Sequence, residues 1–279
     1  MIPAVDADRP AIEAFLTRHI TTSMFPLSNL RRYGMAGGHP RAMRFWLRWQ
    51  AGALVDVLCI SEEGMVFPQC PTSPWGDVKV VLHGHSIKGV LGDAAQVAAL
   101  RTVLGLSGDP GLDTAEPLYA LSLDDLVIPD VTGFRLAPLK DAPRALVVGW
   151  RRAYLEEVLP MPGEDNAMTA VKDIVGYIEA DTHRVLYEGN TPVAMTGFNA
   201  VLPEAVQIGG VYTPPALRAR GYARRAVALH LSQARDAGTK NASLFAASPQ
   251  ACKAYEAIGF RRTGDFRILI YQDPQVIYG

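Results

Sequence analysis

The sequence predicts a mixed α/β protein, of α+β class, built from two successive halves. Three features predict it. Of its 279 residues, 49% are hydrophobic, enough for a sizeable core, and the length suits one large domain or two of ordinary size. Short apolar runs typical of strands recur between segments of helical periodicity. Finally, "LSGDPGLDTAEPLYALSLDDLVIPDVTG", Leu106 to Gly133, is rich in Gly, Pro and Asp around the short strands "LYALSL" and "LVIP". It places a boundary near Asp130, giving expected domains at 1–130 and 131–279.

In the first half, "DADRPAIEAFLTRHI" predicts a helix: Asp8 stands where a cap is needed, Pro10 lies in the first turn, and Ile12, Phe15, Leu16 and Ile20 share a face. "ALVDVLCISEEGMVFPQCP" predicts a hairpin turning at Glu63-Gly64, and "VKVVLHG" a further strand. "RFWLRWQ", Arg44 to Gln50, reads as a surface helix or strand burying Phe45, Trp46 and Trp49. "DAAQVAALRTVLGL" returns to helical spacing and ends near Gly105.

The second half begins with the strand "FRLAPL". A helix opened by Asp141 and Pro143 follows, with Leu146, Trp150, Tyr154, Val158 and Leu159 on one face, then a second helix around "AMTAVKDIVGYIEA". "RVLYEGNTPVAMTGF" predicts a hairpin at Gly189-Asn190, and "AVQIGGVYT" a third strand. Next come an arginine-rich helix from about Pro215 to Ala237, the strand "ASLFAA", the helix "SPQACKAYEAIGF" capped by Ser248, and the strand "GDFRILIYQ". The order is strand, two helices, three strands, helix, strand, helix, strand.

Composition narrows the functions. Lys plus Arg number 27 against 28 Asp plus Glu, a formal net charge of -1, which argues against nucleic acid as a partner. Three widely spaced cysteines, Cys59, Cys70 and Cys252, suit free thiols in a reducing, cytoplasmic setting. No apolar run has membrane-spanning length, and the N-terminus lacks the pattern of a signal peptide. His83 and His85 in "VLHGHS" would share a strand face, but no third ligand has metal-site spacing, so no metal is expected.

One local imbalance stands out. In "VYTPPALRARGYARRAVALHL", Arg218, Arg220, Arg224 and Arg225 surround Gly221 at a strand-to-helix junction, and no acid occurs between Glu204 and Asp236. First-turn amides of a helix have no intrahelical partners and the dipole favours an anion, so this is a phosphate seat. Gly221 permits close backbone approach, and Ala223 keeps the next contact small.

"RARGYA" resembles the [QR]-x-x-G-x-[GA] pattern of the GNAT superfamily of acyl-CoA-dependent N-acyltransferases, matching at Arg218, Gly221 and Ala223. The second helix, with Ala251, Tyr255, Gly259 and Phe260, matches that family in order and context. The resemblance covers about residues 131 to 279 and implies an acyltransferase fold there, with acetyl-CoA or another short acyl-CoA as co-substrate and a small amine-bearing acceptor. It implies that Val211, Tyr212 and Thr213 pair with the pantetheine arm, that Arg218, Ala219, Arg220, Gly221, Tyr222, Ala223 and Arg224 hold the pyrophosphate, and that Ser248 lies beside the arm. The Val211 amide would stabilise the oxyanion and Tyr255 would protonate the departing sulfur. Ser248 stands where many relatives carry asparagine. Gln207 stands where some carry a glutamate base, which leaves Glu188, Glu204 or a water to be tested. A monomer or homodimer is expected. The alternatives are a non-catalytic acyl-CoA sensor and a scaffold. Glu164 and Asp165 in "MPGEDNAM" are weak candidates for meeting a cationic amine. For the first half, a decayed copy of the same fold is the hypothesis, drawn from the strand, turn and helix order of "VVLHGHSIKGVLGDAAQVAALRTVLGL".

Overall fold

The computed structural model describes residues 1–158 and 165–278. The chain forms two compact units, Met1–Glu116 with Gly264–Gly279, and Pro117–Thr263. The first division lies upstream of Asp130. The chain's final segment belongs with the first unit because its strand pairs there.

The first unit runs β1 (Ile2–Pro3), α1 (Arg9–Arg18), α2 (Ile20–Tyr33), β2 (Met43–Gln50), β3 (Ala53–Ser61), β4 (Met65–Gln69), α3 (Trp75–Val81), β5 (Ser86–Asp93) and α4 (Ala94–Leu104), leading into β6 (Pro110–Ser122). The second runs β7 (Phe134–Pro138), α5 (Arg144–Val158), α6 (Asn166–Glu179), β8 (His183–Glu188), β9 (Thr191–Val201), β10 (Ala205–Tyr212), α7 (Tyr222–Asp236), β11 (Asn241–Phe245) and α8 (Pro249–Glu256), leading into β12 (Arg261–Val276). Both series therefore read strand, two helices, three strands, helix, strand, helix, strand. Their last strands are exchanged. In the first unit β12 pairs antiparallel with β5, from Phe266↔Asp93 to Val276↔Ser86, giving the order β1-β2-β3-β4-β5-β12. In the second, β6 pairs antiparallel with β11, from Asn241↔Ser122 to Phe245↔Leu118, giving β7-β8-β9-β10-β11-β6.

This repeated order corrects one detail of the duplication reading. The first-unit counterpart of β10, its following turn and α7 is β4, the Cys70–Pro74 turn and α3, not the segment beginning at Val80. That turn carries no arginine, and Asp77 occupies the first turn of α3, the wrong charge for an anion seat.

Most elements follow their sequence signals. Asp93 caps α4, accepting from the amides of Ala95 and Gln96, and Gly105 closes it in a left-handed conformation. Other expectations fail locally. "VKVVLHG" is helix α3 and a turn, because Val78 and Leu82 are spaced to enter the core together. His83 and His85 consequently sit in the turn before β5, His85 edge-on to Trp46 with ring centroids 5.3 Å apart. Asp8 spends its carboxylate on the Val5 amide, 2.9 Å away, rather than on α1, and that helix stops at Arg18, so Ile20 opens α2. "RFWLRWQ" is strand β2, with Phe45 and Trp46 buried but Trp49 41% exposed. "LVIP" follows a 3-10 turn and forms no strand. Leu159 lies outside the described residues.

The second unit's core is layered on its sheet. Val147, Trp150, Ile174, Val185, Tyr187, Met195 and Tyr212 pack with α5 and α6, while Val227, Ala228 and Leu231 of α7 pack with Phe198, Val206 and Ile208.

Candidate active site

β10 is the organising strand. It pairs in parallel with β11 through Ala205↔Asn241, Val206↔Ala242, Gln207↔Ser243 and Ile208↔Leu244, and the pairing stops there. β11 stays with β6 instead: the Ala246 amide donates to the Pro117 carbonyl at 3.1 Å. On its other side, β10 passes from Gly209↔Gly197 to Tyr212↔Met195, three residues against two, so an extra residue bulges at Gly210-Val211. Gly210 has φ 62°, a conformation open to glycine. The result is a parallel pair that opens beyond Ile208, with the backbone of Gly209 to Thr213 lining the split. A bulge of this kind bends the strand and interrupts its ladder locally. Tyr212 is buried against Trp150, ring centroids 6.3 Å apart, and burial raises the pKa of its phenol, with the Glu157 carboxylate adding to the effect.

Chain geometry delays the arginine-rich helix. A short 3-10 turn, Pro215–Leu217, is followed by Ala219 at φ 63° and Gly221 at φ 75°, so α7 starts at Tyr222 rather than at Pro215. Gly221 is its cap residue and supplies no side-chain acceptor, while the first helical bond runs from the Arg225 amide to the Gly221 carbonyl at 3.1 Å. The amides of Tyr222, Ala223 and Arg224 thus remain available to an anion. Around them the arginines divide. Arg218 donates to the Thr213 carbonyl at 3.0 Å and pairs with Glu157 at 2.5 Å. Arg225 donates to the carbonyls of Asp130 and Arg220 at 2.7 and 3.0 Å, over the Phe134 ring. Arg220 is exposed, and the buried Nε of Arg224 has no partner among the described residues. Two of the four arginines, Arg218 and Arg225, therefore brace the turn.

On α8, Ser248 accepts from the Ala251 amide at 3.2 Å and caps the helix. Tyr255 is buried with its ring edge-on to Phe260, 6.1 Å between centroids. The next residue, Glu256, accepts from the Tyr119 hydroxyl at 2.8 Å, and that phenol is pushed well above its usual range by hydrogen bonds with Cys252 and Glu256.

Neither glutamate named as a base reaches the bulge. Glu188 accepts from the Tyr222 hydroxyl at 2.7 Å, at the start of α7. Glu204 lies in the turn before β10, six residues from Gly210 and so roughly 20 Å along the strand. Asp165 caps α6 through the amides of Ala167 and Met168, and Glu164 lies outside the described residues. Gln207 is buried: its Nε2 donates to the Ile208 carbonyl at 2.8 Å, while its Oε1 and the Oγ of Ser243 opposite have no partner among the described residues.

Sequence reasoning passed over His183. It opens β8, is fully buried, and lies flat on Tyr177 with ring centroids 3.6 Å apart. A Cβ on Gly197 would stand 2.1 Å from its ring, and one on Gly210 would stand 3.0 Å from its Nε2. Two glycines distant in sequence thus make room for one imidazole beside the bulge. The pattern "DTHRVLYEG" carries no trace of this, because the glycines belong to β9 and β10.

Among the described residues no group of three His, Cys, Asp or Glu side chains could hold a metal, and no helix is long and apolar enough to cross a membrane. All three cysteines are free thiols, Cys59 and Cys70 buried.

Residues 147–260 match the family model described as Acetyltransferase (GNAT) family. No curated protein matches the chain. Among solved structures, the chain resembles a Drosophila protein at 10% identity and TM-score 0.60, covering 96% of this chain and 97% of that one. It resembles an acetyltransferase of the GNAT family from Colwellia psychrerythraea at 12% identity and TM-score 0.52, covering 93% and 97%. A tandem GNAT protein from the clavulanic acid biosynthesis pathway is similar at 13% identity and TM-score 0.54, covering 96% of each chain. At these identities the likeness is one of fold, extending over both units.

Proposed function

We propose that the second unit, whose residues 147–260 match the model of the GNAT acetyltransferase family, transfers an acetyl or similar short acyl group from acyl-CoA to a primary amine of a small molecule, amino acid or peptide. One observation carries this reading: beyond Ile208 the β11 side of β10 is left without a strand partner, and this edge leads into a helix start whose open amides and flanking arginines suit a pyrophosphate. An extended pantetheine arm joins the open edge of β10 as an added strand would. Gly221, Tyr222, Ala223 and Arg224 receive the diphosphate, with Arg220 above them and Arg218 holding the turn through Thr213 and Glu157.

The chemistry is direct attack. A neutral amine adds to the thioester carbonyl, the Val211 amide at the bulge receives the developing oxyanion, and the Tyr255 phenol protonates sulfur as the C–S bond breaks. An amide donor fixed in a bulge needs no reorganisation as charge develops. A phenol is protonated at neutral pH and suits a thiolate leaving group.

Gln207 favours a second reading, an acyl-CoA sensor without turnover, because an amide cannot accept the amine proton. Calorimetric titration with acetyl-CoA, CoA and dephospho-CoA, followed by an amine screen, tests the proposal. Saturable micromolar binding with turnover supports transfer. Binding without turnover on any amine supports the sensor, and absence of binding overturns both. In an enzyme, Tyr255→Phe lowers turnover while acetyl-CoA affinity is kept.

A further inference from the structure

The proposed transfer needs a proton acceptor for the amine, and the position where some relatives carry glutamate holds Gln207. Strand register shows what else shares its sheet face. Gln207 and Gly209 alternate with Ile208 on β10; Gly209 lies opposite Gly197 on β9, and Gly197 opposite His183 on β8. His183 therefore occupies the Gln207 face two strands away; its imidazole fills the place a Gly197 side chain would take, and the Asn199 side chain lies over Gly209. Its Nε2 is the ring atom closest to the Gly210 position, at 3.0 Å from where a Cβ would be.

We propose that His183 Nε2 accepts the proton of the incoming amine, across one water, at the Gly210-Val211 bulge. This deepens the transfer reading and rests on it. Nε2 is buried without a partner among the described residues, as are Gln207 Oε1 and Ser243 Oγ, and buried polar groups of this kind are satisfied by ordered water or by ligand. The other ring nitrogen, Nδ1, lies 2.9 Å from Thr182 Oγ1. When Nδ1 carries the proton and donates to that hydroxyl, Nε2 is left as a lone-pair acceptor. Tyr177 on α6 fixes the ring plane by stacking.

The charged and titratable groups around His183 keep it neutral. Burial is the largest cause of its lowered pKa, followed by His230 on α7, Arg151 on α5 and Arg184 beside it on β8. Arg151 is itself paired with Asp173 on α6 at 2.7 Å, and Arg184 with Asp181 at 2.9 Å. A neutral imidazole at physiological pH is the form a base requires.

The balance is simple. The ammonium gives one proton to Nε2 and attacks; the C–N bond forms and the C–S bond breaks. Sulfur takes the Tyr255 proton, a second proton from nitrogen restores Tyr255, and the His183 proton leaves to solvent. The products are the amide, CoA thiol and one proton.

The experiment measures CoA thiol release from acetyl-CoA with spermidine, tyramine, glucosamine and lysine for the full-length wild type, His183→Gln and His183→Ala. Circular dichroism confirms folding, and His183→Gln carries the test if the alanine variant does not fold. Expected are a loss of about 100-fold in kcat/KM for the amine, an unchanged KM for acetyl-CoA, disappearance of the wild type's acidic limb, and recovery of His183→Ala on adding imidazole, for which the deletion leaves space. A variant within about threefold of wild type, or a loss with the pH profile unchanged and no imidazole recovery, overturns the assignment. A wild type without turnover on all four amines overturns the transfer reading itself, a separate result seen before any variant is compared.

Discussion

Lowering the pH from 7 to 5 places a proton on His230 in the unfolded chain but not in the folded one, and the difference is large enough to measure. His230 lies on α7, 3% exposed, stacked on Phe198 with ring centroids 3.7 Å apart. Burial, with a smaller contribution from Arg184, lowers its pKa from 6.5 to about 3. Because the folded value is depressed, the unfolded state binds more protons below pH 6.5, so stability is full above that pH and is lost progressively toward pH 3. Linkage over these two values gives a loss of about 2 kcal/mol between pH 7 and pH 5. The assay is urea unfolding followed by tryptophan fluorescence for wild type and His230→Leu. Wild type should lose about 2 kcal/mol more than the variant over that interval, the shared contribution of His183 cancelling in the comparison. Equal pH dependence in the two proteins would refute the argument that His230 is buried neutral.

Other outcomes follow from the same geometry. Gly197→Ala puts a methyl group onto the His183 ring and should cost about 1–3 kcal/mol by overpacking, read as a lower urea midpoint, together with reduced turnover. Gly221→Ala forces alanine into a left-handed conformation at the anion seat; acetyl-CoA affinity measured by calorimetry should drop by roughly tenfold, for a strain of about 1 kcal/mol and the loss of close approach. Ser248→Ala removes the α8 cap and should destabilise by about 1 kcal/mol, checked by thermal unfolding. Arg224→Ala should weaken acetyl-CoA binding without lowering the melting temperature, since its Nε has no partner among the described residues; unchanged affinity would count against its place in the diphosphate cradle.

What the sequence by itself determined is whatever rests on local periodicity and local chemistry. The helix–strand order of the second unit was legible because elements carry their own signals: Ser248 before a helix, Gly189-Asn190 between strands. The cluster that suggests an anion seat was legible for the same reason, glycine and arginines lying within eight residues of one another. The fate of individual arginines was not, because the partners of Arg218 and Arg225 include Glu157 and Asp130, far off in sequence.

Tertiary structure alone decided the rest. "VKVVLHG" has β-branched content that suggests a strand, yet core contacts of Val78 and Leu82 make it helix. The exchange of β6 and β12 is invisible locally, since a strand's sequence states that it will pair but not with which edge. The split after Ile208 and the bulge at Gly210-Val211 arise from register between strands. So does the meeting of His183 with Gly197 and Gly210, because the residue that faces a bulge is chosen by cross-strand neighbours, which one-dimensional spacing does not encode.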